Sequence, residues 1–285
     1  MIDGARVVDA HQHFWNLGAG YDWLGPEYGA INRSFGVEDV EPLAAAAGVD
    51  DVVLVQADDT IADTEAMLAI ADGWSRVTGI VGWAPLADQV ALPAVLDWFS
   101  ADARLVGVRH LMHNEADADW VVGDAVGRGL AALERAGLSF DLVPVLPRHL
   151  EHVPTLAERY PELTLVIDHL GKPPIADGEF TPWSELIATA AKYPNVSAKI
   201  SGLDTAAGPE NYTAQAISPY VEHALNHFGP SRLMFGSDWP VNVLAEGYAA
   251  WWVTVKEILA SLSTDERSLV LGGTATAVYN LGGTS

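Results

Sequence analysis

Two histidines separated by one residue, His11 and His13 in VVDAHQHFWN, close a short apolar run near the start of the chain. On a strand, residues i and i+2 share a face, so the two imidazoles lie side by side. Such a pair can hold one metal ion, since neutral imidazole is a common ligand, or grip one substrate oxygen. Asp9 falls on the same alternation and is expected one layer deeper, where it would orient an imidazole N–H. Asp238, in FGSDWPV, has the chemistry of a general base that takes a proton from water, and it completes a candidate metal set with His11 and His13. The bland alternative for Asp238 is a cap on the turn that follows. His169, in VIDHLGKP, is a further ligand, or a group that polarises a carbonyl or protonates a leaving oxygen. Arg109, in LVGVRH, offers a planar fork to a carbonyl, hydroxyl or carboxylate, or pairs with Asp141 as a buried structural ion pair.

Something must bring these residues together. Short β-branched runs recur along the chain: RVVDAH, DVVLVQA, VTGIVGWAP, LVGVRH, LSFDLVPV, LTLVIDH, NVSAKIS and RLMFGSD. Alanine- and leucine-rich amphipathic stretches lie between them, and such runs read as buried parallel strands with covering helices. Eight of these units, beginning roughly 25–45 residues apart, predict an α/β fold: a single-domain (β/α)8 TIM barrel spanning 1–285. The rival is an open doubly wound sheet, but no glycine-rich phosphate loop follows the first strand.

A barrel of this kind carries its site at the C-terminal ends of its strands. There stand His11 and His13, Gln56, Trp83, Arg109 with His110, Asp141, His169, Lys199 with Ser201, and Asp238. Gln56 and Trp83 are accordingly candidate substrate contacts. Arg33, His113 and His149 lie in loops over the mouth. The segment Trp15–Phe35 reads as an active-site loop. Trp15, Trp23, Trp83 and Trp239 are candidate walls for a sugar-like ring, although core packing explains them equally well. Asp168 alternates to the face opposite His169 and reads as a structural partner. His152, His223 and His227 are assigned to solvated helix faces.

The chain has 285 residues, with 38 acids against 15 bases and a net charge of -23. Nucleic acid and anionic membrane are therefore excluded as partners, because phosphate binding needs the opposite sign. A small neutral substrate fits. There is no cysteine, so any metal must sit on His, Asp or Glu. No leader-like or membrane-length apolar run is present, and a cytoplasmic location is expected. Whether the chain forms a homo-oligomer is left open.

HQHFW, DHLGKP, SGL and GSDWP, in this order and spacing, resemble motifs of the amidohydrolase superfamily. Within it they are similar to the branch of sugar-lactone hydrolases, the L-fuconolactonases and L-rhamnonolactonases, related to 2-pyrone-4,6-dicarboxylate lactonase. The likeness covers essentially the whole chain. It implies a (β/α)8 barrel that opens cyclic esters with water, Asp238 activating the water and His11, His13 and His169 surrounding the scissile carbonyl. NRSF is similar to an arginine-bearing segment of the first loop in these lactonases, which makes Arg33 a substrate contact. Two departures from the wider superfamily stand out. Arg109 and His110 end strand four, where a carboxylated lysine would bridge two metals, and strand five ends in Asp141 where many members place a histidine. The resemblance thus implies one divalent ion, zinc first, on His11, His13 and Asp238, or none at all, as in the pyrone lactonase. The expected substrate is an aldonolactone such as L-fucono- or L-rhamnonolactone. The alternative is metal-dependent, non-oxidative decarboxylation of an aromatic or unsaturated acid.

Overall fold

The computed structural model describes residues 5–209 and 212–282. The outer ends of the expected domain, residues 1–4 and 283–285, lie outside the described residues. Eight short strands form: β1 (Val8–Gln12), β2 (Asp51–Val55), β3 (Val77–Gly82), β4 (Leu105–His110), β5 (Ser139–Leu142), β6 (Leu165–Ile167), β7 (Val196–Ile200) and β8 (Leu233–Phe235). They pair in parallel in sequence order. A parallel bridge between Gln12 and Trp239 brings the last strand's end back to the first. The (β/α)8 barrel expected from the sequence is the fold observed.

One main helix follows each strand. These are α1 (Val37–Ala47), α2 (Ile61–Gly73), α3 (Leu92–Phe99), α4 (Asp124–Ala136), α5 (Val153–Arg159), α6 (Trp183–Ala190), α7 (Ala214–Phe228) and α8 (Gly247–Ile258). Their sequences explain them. α4 buries Val126, Leu130 and Leu133, spaced to make one apolar stripe, and Gly137 stops it in the left-handed conformation. Thr60 and Thr213 start α2 and α7 by accepting a hydrogen bond from a backbone N–H of the first turn. No helix among the described residues is long and apolar enough to cross a membrane.

Two apolar layers result. Val52, Leu54, Ile80, Val108, Leu165 and Ile167 face the helices. Val8, Ala10, Val53, Val55, Val81, Val166 and Met234 face inward, where Ala275, Tyr279 and Leu281 of the closing C-terminal segment plug the barrel.

β1 departs from simple alternation. Asp9 pairs with Val52 and Gln12 with Leu54, so three steps along β1 match two along β2. The extra residue is a bulge at Ala10–His11, which resets the phase of the strand. Asp9 consequently points outward and His11 inward, a correction to the expectation that they share a face. The Asp9 carboxylate accepts hydrogen bonds from Gln12, from the Ser237 backbone N–H at 2.7 Å and from the Tyr248 hydroxyl of α8 at 2.9 Å.

Candidate active site

The barrel seam itself positions the first three side chains. The His13 N–H donates to the Trp239 carbonyl at 2.7 Å, and the Asp238 N–H to the His11 carbonyl at 2.9 Å. The backbone that closes the cylinder therefore brings Asp238 against the histidine pair. Asp238 has φ 57°, a left-handed conformation that only short polar side chains tolerate well among non-glycine residues. Gly236 makes room below: a Cβ there would lie 2.7 Å from the His11 Cβ.

His169 arrives by a different device. His169, Leu170, Gly171 and Lys172 all have positive φ, between 50° and 72°. They form one left-handed turn, closed by the Lys172 N–H on the His169 carbonyl at 2.9 Å. Non-glycine residues pay roughly 1–2 kcal/mol each for that handedness. The Trp183 indole N–H holds the turn by donating to the Leu170 carbonyl at 2.6 Å. Strand alternation is abolished here, so Asp168 and His169 both point into the barrel.

The resulting cluster is tight. Asp238 Oδ1 lies 3.3 Å from His13 Nε2, 3.6 Å from His11 Nε2 and 3.9 Å from His169 Nε2. The His11 and His13 Nε2 atoms are 3.0 Å apart. His13 Nδ1 donates to the Val55 carbonyl at 2.7 Å, which fixes the tautomer and turns the Nε2 lone pair toward the site. His169 Nδ1 is bonded to the Ser201 hydroxyl at 2.8 Å. Burial holds the His11 imidazole well below its ordinary value and brings His169 down to about 4. Burial also pushes the Asp238 carboxyl up, but His169, then His13 and His11, outweigh it and hold the group well below the usual carboxylate range. At neutral pH the cluster holds an ionised Asp238 facing the lowered imidazoles of His11 and His169.

The ligand atoms of His11, His169 and Asp238 all fall within 4.8 Å of one another. A tetrahedral ion with bonds of about 2.0–2.2 Å separates its ligands by roughly 3.4 Å. The nitrogen–nitrogen and nitrogen–oxygen spacings of 3.0–3.9 Å around Asp238 bracket that value, so this donor set fits one divalent ion.

A second charged group lies directly beneath. Asp168 meets Arg109 Nη1 at 2.9 Å, Lys199 Nζ at 3.0 Å and His11 Nδ1 at 3.4 Å. Lys199 also binds Asp141 at 2.6 Å, and the Tyr279 hydroxyl donates to Asp141 at 2.6 Å. Burial drives the Asp168 carboxyl up, yet Lys199, His11 and Arg109 together bring it well below its usual range. Arg109 and Asp141 are ladder neighbours in β4 and β5, but each takes its partner across the barrel. The expected Arg109–Asp141 pair is thus replaced by Arg109–Asp168 and Lys199–Asp141.

Above this floor opens a pocket of about 280 Å³. His13, His169, Asp238 and Arg109 form its base, with Trp15, Trp23, Tyr28, His113, Asn114 and Lys172 among its walls. Burial lowers the His113 imidazole to about 4, with Lys172 and Arg109 adding to the effect.

Several expected contacts lie elsewhere. Arg33 is exposed, pairs with Asp39 at 3.1 Å and stacks on Phe35. The Trp83 indole is spent on His110 at 3.2 Å, and His110 in turn stacks on Trp120 and bonds Glu115. Gln56 is fully buried, donating to Asp59 and accepting from Arg109 through its own carbonyl. His149 is buried and accepts from the Leu146 N–H, while Trp239 packs against Phe14 and Phe35. None of these five lines the pocket. His152 is buried against Asp119 rather than solvated. Conversely, the sequence reading set Asp168 aside as a structural partner on the opposite face and gave Lys199 no role. It did not single out Lys172. The one signal for Lys172 was its place in the DHLGKP motif, three residues beyond His169.

The amidohydrolase family model matches residues 8–281, and the chain belongs to that family. It is 39% identical over 280 residues to an L-fucono-1,5-lactonase from Burkholderia ambifaria, covering 96% of this chain and 95% of the relative. A second L-fucono-1,5-lactonase, from Burkholderia multivorans, is 35% identical over 98% of this chain and 97% of its own length. A crystal structure of a Burkholderia multivorans amidohydrolase with bound zinc superposes with a TM-score of 0.90 at 34% identity, covering 97% of this chain and all of that one.

Proposed function

We propose that this protein hydrolyses a sugar lactone, with L-fucono-1,5-lactone the first substrate to test. The similarity to two lactonases over nearly the full length supports the class. The observation that carries the chemistry is the ionised Asp238 at the pocket floor, its Oδ1 within 3.3–3.9 Å of three imidazoles.

In this reading Asp238 takes a proton from water as the water oxygen attacks the lactone carbonyl. Negative charge then builds on the carbonyl oxygen, where His169 and the Arg109 fork act as donors already in place. One such preorganised donor is worth about 3–4 kcal/mol. The acyl–ring-oxygen bond breaks, and Asp238 returns the proton to the departing oxygen, leaving a free hydroxyl and a carboxylic acid, which ionises to the carboxylate and releases its remaining proton to water. Trp15, Trp23 and Tyr28 offer apolar faces to the sugar ring, while His113 and Asn114 are placed for its hydroxyls. A divalent ion, zinc first, would be held by His11, His13 and Asp238 with His169 in reach, and would supply Lewis-acid polarisation of the carbonyl.

The test is product analysis on a panel of aldonolactones with pH-indicator detection, together with metal analysis of the purified protein. Saturable acid release, fastest with L-fucono-1,5-lactone, is expected. Carbon dioxide release from an aromatic acid, with no acid release from any lactone, would replace this reading by decarboxylation.

A further inference from the structure

Ring opening turns a neutral lactone into an anion, and the pocket must then hold and release a carboxylate beside ionised Asp238. Arg109 meets Asp168 at 2.9 Å deep in the floor and, in this reading, serves the carbonyl oxygen during ring opening, so a separate cation is needed for the departing carboxylate. Lys172 is different. It lines the same pocket, and no ion pair or side-chain hydrogen bond engages its ammonium among the described residues. This occurs in a chain with 38 acids and only 15 bases, where most arginines are paired or bonded to carbonyls.

The backbone gives a second, independent reason. His169 and Lys172 begin and end the left-handed turn, and with about three residues per turn, positions i and i+3 stand on one side. Three non-glycine residues are held in an unfavourable conformation there, and strain of that kind persists where the surroundings over-determine it, commonly at ligand sites. Its effect here is to place an imidazole and an ammonium on one pocket wall.

We propose that the Lys172 ammonium is the docking point for the carboxylate created by ring opening, so that Lys172 is the product-binding residue of this site. The proposal rests on the lactonase reading above and deepens it. Lys172 is exposed at the rim, and a carboxylate bound there lies on the way out to solvent.

The experiment compares wild type, Lys172→Met and Lys172→Arg by calorimetric titration with L-fuconate and by inhibition of lactone opening. Lys172→Met is expected to weaken L-fuconate about tenfold more than it raises KM for the lactone, as loss of a charge-assisted hydrogen bond implies. Lys172→Arg should restore aldonate affinity to within about threefold, because the charge is kept. Added salt should weaken L-fuconate binding in wild type and much less in Lys172→Met. Unchanged aldonate affinity in Lys172→Met, or equal weakening of lactone and aldonate with a fall in Tm, would overturn the proposal. Calorimetry needs no turnover, so a wild type that opens no lactone yet loses L-fuconate binding in Lys172→Met leaves the anion site standing and removes only the lactonase reading.

Discussion

Asp168 and Asp238 are both buried carboxylates at strand ends, each within 3.4–3.6 Å of His11, on opposite nitrogens of its ring. Their surroundings are opposite. Asp168 is fully enclosed and meets two cations, Arg109 and Lys199, while Lys199 also answers Asp141. Two acids and two bases cancel, and nothing is left to react. Asp238 meets no lysine or arginine; its near partners are imidazoles, of which burial lowers His11 and His169, and it borders the pocket. The comparison separates two uses of the same functional group: a charge neutralised to hold a wall, and a charge left uncancelled where a substrate can reach it.

That contrast can be broken most severely at Asp238. Asn adopts the left-handed backbone as readily as Asp, so Asp238→Asn should fold normally. It should lower kcat/KM on L-fucono-1,5-lactone by about 10³–10⁴-fold, the upper part of the range for a general base. Near wild-type turnover would assign the proton transfer elsewhere. Asp168→Asn should do the reverse, chiefly costing stability. Arg109 and Lys199 would share one acid, Asp141, inside the barrel, and removing one partner of a buried ion pair costs about 3–5 kcal/mol. Urea denaturation reads this directly, and a variant as stable as wild type would show the stack to be ornamental.

The smallest effect sharpens the contrast through pH. His169 is held near 4 when folded, against an ordinary value of 6.5. Below pH 6.5 the unfolded chain takes up a proton that the folded one refuses, so stability falls as pH drops from 6.5 to 4, by about 3 kcal/mol from this residue. Asp168, held below the usual range, keeps its charge throughout that window and adds no slope. Because His113 and His11 are lowered too, stability measured across pH 4–6.5 should fall less steeply in His169→Gln without becoming flat, and an unaltered slope would mean that His169 is not kept neutral by its burial.

The barrel was legible because its signal is repetitive: every β-branched run named from the sequence overlaps a strand of the observed sheet. The pairing of His11 and His13, and their meeting with Asp238, followed from strand alternation and from the adjacency of first and last strands. What failed was local. A one-residue bulge put Asp9 outside, and a left-handed turn turned both Asp168 and His169 inward. Neither leaves a mark in apolar periodicity. Partner choice across the interior was also hidden, since Arg109 passes over its ladder neighbour Asp141 to reach Asp168, which depends on how the strands stagger. Trp83 and His149 stood near the mouth in sequence but spend their polar atoms on neighbours.

The bulge in β1 has a bearing on engineering. A protein designer who rebuilt this segment residue for residue as an ideal strand, keeping Val8 and Ala10 inward, would send both rings into the oily shell under the helices. The irregular step at Ala10–His11 lets Val8 and Ala10 fill the barrel interior and the two imidazoles still follow on the same side; deleting Ala10 would restore plain alternation, with Asp9 outward and His11 and His13 still inward, at the cost of one apolar residue in the plug layer.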